Sequence, residues 1–249
     1  MIAATYIDHM GTDLSVVNAA RVSFGKKSEW VCGCEENADG TPTRIDPLWC
    51  PGCNPMLKSE DTKLIHYLAK HGHYSPFGHC FASFHIKAPI FVARQLVKHE
   101  YLRMNEISRR YVDSEPEFYV PDVWRGRSKD KKQGSDGVVD LEDIVMYGNG
   151  GIIGPWYLGE EMREHWDRSL EQYTLLLEAG VAPEMARMVL PQSMYTEWYW
   201  SGSMDAFANM CALRLKEDTQ YETRLVAQQI DEMMQGLYPV SWKALVHHG

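Results

Sequence analysis

A mixed α/β fold, one sheet flanked by helices with roughly half the chain helical, is the class this sequence predicts. Three observations carry the prediction. Apolar residues recur at helical spacing in 13–24, 62–73 and 157–180. "CFASFHIKA" (80–88) alternates in part between apolar and polar side chains. "SMYTEWYW" (193–200) is aromatic and β-prone. The 249 residues suit a single domain, 1–249, and 45% apolar content is enough for a sizeable core.

In chain order, "DLSVVNAARVSF" (13–24) reads as a helix capped by Asp13 or Ser15. The next stretch, about 26–58, is rich in Gly, Pro, Asn, Asp and Cys, lacks a period, and reads as a surface insertion. "TKLIHYLAKHGH" (62–73) returns to helical spacing, and "SPFGH" (75–79) breaks it. After the 80–88 strand, Pro89 opens a long predicted helix, "PIFVARQLVKHEYLRM", with proline at the favoured first position. "EFYVP" (117–121) is extended. A second insertion covers about 124–152, and its charged, Gly/Ser-rich start, "WRGRSKDKKQGSDG", reads as a mobile loop. A helix follows over 157–180, then a short one in "APEMARMVLP" (182–191). Two helices, near 203–216 and 218–237, close the chain.

A net charge of −9 argues against broad attraction to nucleic acid or an anionic membrane. No apolar run reaches the roughly 18 residues of a membrane span. The N-terminus lacks the basic and apolar regions of a signal peptide, so a cytoplasmic protein is expected. There, six cysteines favour thiols or metal ligation over disulfides. Cys32-x-Cys34 and Cys50-Pro-Gly-Cys53, fifteen residues apart, fit a structural zinc site, with bare loop cysteines as the alternative. Cys80 and Cys211 sit in apolar runs and read as buried structural thiols.

"KHEYLRMNEISRR" (98–110) mixes basic and acidic residues around a polar centre. On a helix from Pro89, Gln95, Lys98 and His99 would be neighbours, with Asn105 and Ser108 near its end. Such a cluster offers donors to a phosphate and acceptors to a sugar or base. Charge pattern alone favours a salt-bridged helix end on the surface.

The stretch also resembles the Arg-His-Arg-x-x-Ser-x-Asn-Glu-x-Ser-x-Arg motif of flavin-dependent thymidylate synthases, with His99, Asn105, Glu106, Ser108 and Arg110 matching. "AARVSF" (19–24), "HGHYSPFGH" (71–79), "FHIKAPIFVARQ" (84–95), "ARMVLPQSMYT" (186–196) and "LR" (213–214) look like the same family's core. The resemblance implies the thymidylate synthase-complementing fold, a homotetramer with active sites between subunits, and the reductive methylation of dUMP to dTMP. FAD is the implied cofactor, with NADPH and methylenetetrahydrofolate as co-substrates. Carried over by position, Gln95, Lys98, Glu106, Ser108, Arg109, Arg110, Arg187 and Arg214 would hold the nucleotide. Arg214 would also favour ionisation at N3 of the base as the catalytic group. Ser75, His73, Lys98, His99, Glu100, Asn105, Glu106, Ser203 and Asn209 would meet FAD.

The motif is rewritten in places. Its first Arg is Lys98, its third residue is Glu100 and its sixth is Arg103. The family's Asn-x-Arg is Ser203-Met204-Asp205, and a later His is Asp218. On the expected helix Arg103 would lie three residues after Glu100, pair with it and replace the lost guanidinium. Two alternatives follow from these changes: a variant acting on dCMP or transferring hydroxymethyl, and an inactive scaffold whose four-cysteine insertion and "RGRSKDKK" loop bind nucleic acid.

Overall fold

Alternation in two long runs builds the sheet, and the helical periods cover one side of it. The structure is a computed structural model describing residues 1–32, 55–112, 114–129, 134–146 and 156–247. In chain order its elements are β1 (Ala3–Met10), α1 (Asp13–Arg21), β2 (Val31–Cys32), β3 (Pro55–Met56), α2 (Ser59–Lys70), β4 (Phe81–Pro89), α3 (Ile90–Leu96), β5 (Leu102–Glu106), β6 (Trp124–Arg127), β7 (Ser135–Val139), β8 (Val145–Met146), β9 (Trp156–Tyr157), α4 (Leu158–Glu178), α5 (Pro183–Ala186), β10 (Tyr195–Ser203), α6 (Met204–Arg214), α7 (Tyr221–Leu237) and α8 (Pro239–Val246). The mixed α/β class is borne out.

The main sheet has the order β1-β4-β10-β5, and every neighbouring pair is antiparallel. Side chains alternate across it with period two. Ala82, Phe84, Ile86 and Ala88 of β4 face the core, as do Trp198 and Trp200 of β10. Phe84, Trp200 and Phe207 of α6 meet edge to face, with ring centroids 5.2 and 5.4 Å apart. Val17, Ile65, Leu96, Met210, Ile230 and Trp242 close this core from α1, α2, α3, α6, α7 and α8. The opposite sheet face is polar: Lys87 pairs with Glu117 at 2.8 Å and His85 meets Glu197 at 3.1 Å.

Two of the elements that were not read from the sequence pack against the main sheet's edge and core. β1 is an edge strand whose side chains are mostly exposed, so it lacks a clean alternation. α8 adds a third closing helix. The Asp13 carboxylate accepts from its Val240 and Ser241 N–H groups at 3.0 and 2.9 Å, filling donors left free at a helix start. The Tyr238 hydroxyl donates toward the Met10 and Phe81 carbonyls, tying this end of the chain to β1 and β4.

Both insertions are anchored at their bases. β2 pairs with β3 across the first one. Ser28 at its start and Arg21 ahead of it both bond the buried Asp61 of α2. The start of the second insertion departs from the mobile loop expected at 124–137: β6 pairs there with β7. Arg125 pins it by donating to Glu222 of α7 at 2.6 and 2.7 Å and lying 4.9 Å over the Tyr221 ring. "EFYVP" is extended, as expected, and bridges to β10's approach through Phe118 and Met194. Among the described residues no helix is long and apolar enough to cross a membrane.

Candidate active site

The long helix expected from Pro89 ends early. α3 closes at Leu96, the chain turns through Val97–Tyr101, and Leu102–Glu106 becomes strand β5. β10 offers a free edge, and pairing from Leu102↔Gly202 to Glu106↔Trp198 gives the backbone partners that a continued helix would have supplied locally. Leu102 and Met104 then pack against the core while Arg103 and Asn105 face out. The reversal places Tyr101 at φ 63°. It also needs Gly202 opposite, where a Cβ would lie 2.5 Å from Leu102 Cδ2 and 2.9 Å from the Tyr101 carbonyl.

The expected Glu100–Arg103 pair falls with the helix. Arg103 stands opposite Ser201 in β5 and Glu100 lies in the preceding turn. No ion pair between them is present among the described residues.

The shorter helix gathers other residues. The Arg214 Nε donates to His99 Nε2 at 2.9 Å, and its Nη2 donates to the Gln95 carbonyl at 3.3 Å. Arg214 therefore turns inward rather than pairing with Glu217 or Asp218. Because Nε2 accepts, His99 is neutral. Burial, with the Arg214 cation beside it, pushes its pKa from 6.5 down to about 4. Gln95 in turn bonds Gln220, and its Oε1 accepts from the Thr223 hydroxyl at 3.2 Å. Gln220 bonds the buried Glu222 at 3.2 Å. Sequence reasoning missed Gln220, Thr223 and Glu222. Polar residues in a helix's first turn look like ordinary capping chemistry, and nothing local marks Glu222 as buried.

His99 gives a pH prediction. Between pH 4 and 6.5 the unfolded chain binds a proton at this ring that the folded chain refuses, so stability rises with pH there and is lost as pH falls. Discounted for a partly exposed ring, the loss is about 1–2 kcal/mol. The melting temperature of the wild type should therefore fall more steeply from pH 7 to 4 than that of His99→Gln; parallel curves would remove the assignment.

A second group lies beyond β5. The Glu106 carboxylate accepts from the buried Thr196 hydroxyl at 2.6 Å, which fixes it at the strand end. Ser108 shapes the following turn: its Oγ accepts from the Arg110 N–H at 3.2 Å and its carbonyl from Tyr111 and Val112. Arg110 and Arg187, far apart in sequence, meet at Glu184. Arg110 Nε lies 3.1 Å from its carboxylate and Arg187 Nε donates to its carbonyl at 3.2 Å. Both guanidinium groups are exposed and keep donors in reserve. Arg109 instead donates to the Ser114 carbonyl.

The residues matched to flavin contacts fall into two sets. Lys98, Glu100 and Asn105 are exposed on the α3–β5 segment. His73 and Ser75 are exposed on the α2–β4 connection, with His73 stacked 6.2 Å from Tyr67. Ser203 is the residue before α6, and Asp205 and Asn209 follow on its first turns. The end of α6 delivers Arg214, so one helix of about 16 Å spans from flavin-matched to nucleotide-matched residues. The donor set fits a flavin dinucleotide. Lys98 and Arg103 are exposed and carry no ion pair among the described residues, leaving cations for phosphates. Asp205 Oδ1 is buried without a donor near the Phe77–His79 turn, an acceptor that a ligand hydroxyl or amine would satisfy.

Neither Cys80 nor Cys211 suits nucleophilic attack. Both are buried, and burial lifts Cys80 to about 12 and Cys211 well above its ordinary value. Cys32 is buried in β2. Cys34, Cys50 and Cys53, and with them the expected zinc site, lie outside the described residues. No group of three metal-ligating side chains meets among those described. Arg125, counted with the basic loop in the nucleic-acid alternative, is instead committed to Glu222. A cavity of about 530 Å³ lies beside that pair, walled by Phe91, Tyr119, Trp124 and Trp166, and no flavin- or nucleotide-matched residue lines it.

A family model described as "Thymidylate synthase complementing protein" matches residues 5–240. The chain belongs to this family. Within the thymidylate synthase complementing proteins, a flavin-dependent thymidylate synthase of Thermus thermophilus is 37% identical over 97% of this chain and 74% of its own length. One of Kosmotoga olearia is 37% identical over 97% of this chain and 88% of its own. Among solved structures, a UMP/dUMP methylase of Streptomyces cacaoi bound with 5-Br UMP is 27% identical, with a TM-score of 0.74 over 100% of this chain and 95% of its own. The same methylase bound with 5-Br dUMP gives a TM-score of 0.70.

Proposed function

We propose that this protein is a flavin-dependent thymidylate synthase that methylates dUMP to dTMP, with FAD as cofactor and methylenetetrahydrofolate and NADPH as co-substrates. Family membership supports the reading, and one observation in the structure carries it to a site: Arg214 is held inward by a neutral His99 and a main-chain carbonyl. Such a guanidinium is pre-oriented, partly desolvated and cannot discharge. Placed at the pyrimidine edge it would stabilise the anion that forms when N3 loses its proton, which activates C5 toward a one-carbon electrophile.

Arg110 and Arg187 would take the nucleotide phosphate, displacing Glu184 as their shared partner. Glu106 and Ser108 would hold the sugar, with Gln95 and Lys98 nearer the base and Arg109 at the rim. His73, Ser75, Lys98, His99, Glu100, Asn105, Glu106, Ser203 and Asn209 would hold the flavin. Bound FAD would supply, at NADPH's expense, the reducing equivalents that turn the transferred carbon into a methyl group. The raised thiols of Cys80 and Cys211 agree with a route that asks no enzyme nucleophile of them.

Most of these residues stand exposed on one chain. That supports a homotetramer in which another copy closes each site. Water-soluble substrates support a cytoplasmic location.

The test is direct. Purified, FAD-loaded protein is incubated with methylenetetrahydrofolate, NADPH and dUMP, UMP or dCMP in separate reactions, and the product is identified by mass. dTMP from dUMP is expected. A hydroxymethyl product, or turnover of dCMP alone, would replace the proposal with one of its variants.

A further inference from the structure

The side-chain amide of Gln95 has two ends of similar shape and opposite hydrogen-bonding sense, and the group that decides between them lies two residues away through space. Glu222 is 2% exposed at the start of α7. Its oxygens accept from Arg125 Nη2 at 2.6 and 2.7 Å and from the Tyr119 hydroxyl at 2.9 Å. Burial opposes its charge, yet these donors outweigh burial and hold its carboxyl below the usual range.

An ionised carboxylate can only accept. The end of Gln220 that faces Glu222, at 3.2 Å, is therefore its NH2. That leaves the Gln220 oxygen toward Gln95, so Gln95 must turn its own NH2 to it. The Gln95 oxygen then points to Thr223, whose hydroxyl donates at 3.2 Å. The assignment runs one way, from Glu222, which among the described members of this relay can only accept. Turning the Gln95 amide over would set oxygen against oxygen at Gln220, and turning Gln220 as well would set its oxygen against the carboxylate.

We infer that Glu222 and Gln220 are positioning residues that lock the donor–acceptor sense of the Gln95 amide and so make the nucleotide site select uracil over cytosine. The inference rests on the proposed role of Gln95 at the nucleotide. Uracil presents a carbonyl and a ring N–H where cytosine presents an amino group and a bare ring nitrogen. An amide frozen in one sense complements one of these edges, and a free amide rotates to suit either. A site that leaves polar groups unpaired against the wrong partner discriminates strongly.

The experiment measures dissociation constants of dUMP and dCMP by calorimetry on FAD-loaded wild type, Glu222→Gln, Gln220→Met and Gln95→Met. Glu222→Gln can donate, so it releases the relay at its source. Gln220→Met keeps the buried Arg125–Glu222 pair and serves if the first variant folds poorly. Both should lower the dCMP-to-dUMP ratio of dissociation constants by about tenfold with flavin content unchanged. Uniform weakening of both nucleotides, or an unchanged ratio in a folded variant, overturns the inference. If Gln95→Met weakens dUMP while the ratio holds in the other two, only the relay is wrong. If Gln95→Met binds dUMP like wild type, the role of Gln95 falls, and the inference with it.

Discussion

Arg214→Ala should fold, retain FAD and turn over dUMP at least about a hundredfold more slowly than wild type, the usual effect of removing a group aimed at developing charge. Stability should change modestly. The substitution leaves His99 Nε2 and the Gln95 carbonyl without their donors, but both lie partly exposed and water can replace the lost bonds. With the cation gone, His99 should also titrate closer to its ordinary value, since Arg214 helps to depress it. Arg214→Lys separates charge from geometry: it keeps the cation but loses the fork that reaches His99 and Gln95 together. Its rate should fall between the two. Flavin absorbance and saturating-dUMP kinetics read both outcomes, and wild-type turnover by Arg214→Ala would refute the assignment.

Arg110→Ala should raise the KM for dUMP by about a hundredfold, the scale of losing charge-assisted contacts to a phosphate. Its melting temperature should scarcely move. The bond it gives up is an exposed ion pair with Glu184, each side chain about half accessible, and such pairs contribute roughly 0–1 kcal/mol. Arg187→Ala should behave alike, since its contact to the Glu184 carbonyl is equally exposed. An unstable Arg110→Ala with unaltered KM would mean the residue serves the fold and the phosphate lies elsewhere.

The sheet's centre was legible because burial imposes period two where both flanks are filled: Ala82, Phe84, Ile86 and Ala88 could hardly be read otherwise. α1, α2 and α4 announced themselves by helical spacing. β5 did not. "LRMNE" follows a good helix start, and only the free edge of β10, more than ninety residues later in sequence, makes a strand of it. That one misreading displaced Lys98, His99 and Glu100 from a helix to a turn and removed the geometry behind the Glu100–Arg103 idea. The nucleotide- and flavin-matched residues were found through their motif, which survives such errors because it records order rather than shape. Glu222, Gln220 and Arg125 escaped because their significance lies in long-range pairing. A hairpin arginine and a first-turn glutamate look like surface until they meet.

α6 acts as a ruler. Its first turns carry Asp205 and Asn209, and its last residue is Arg214. If the cofactor and the base are read from opposite ends of this rod, their separation is a count of residues. Inserting one would swing Arg214 by about 100° and push it about 1.5 Å along the axis. No repacking nearby could restore both contacts at once. The length of this helix is then dictated by the reaction.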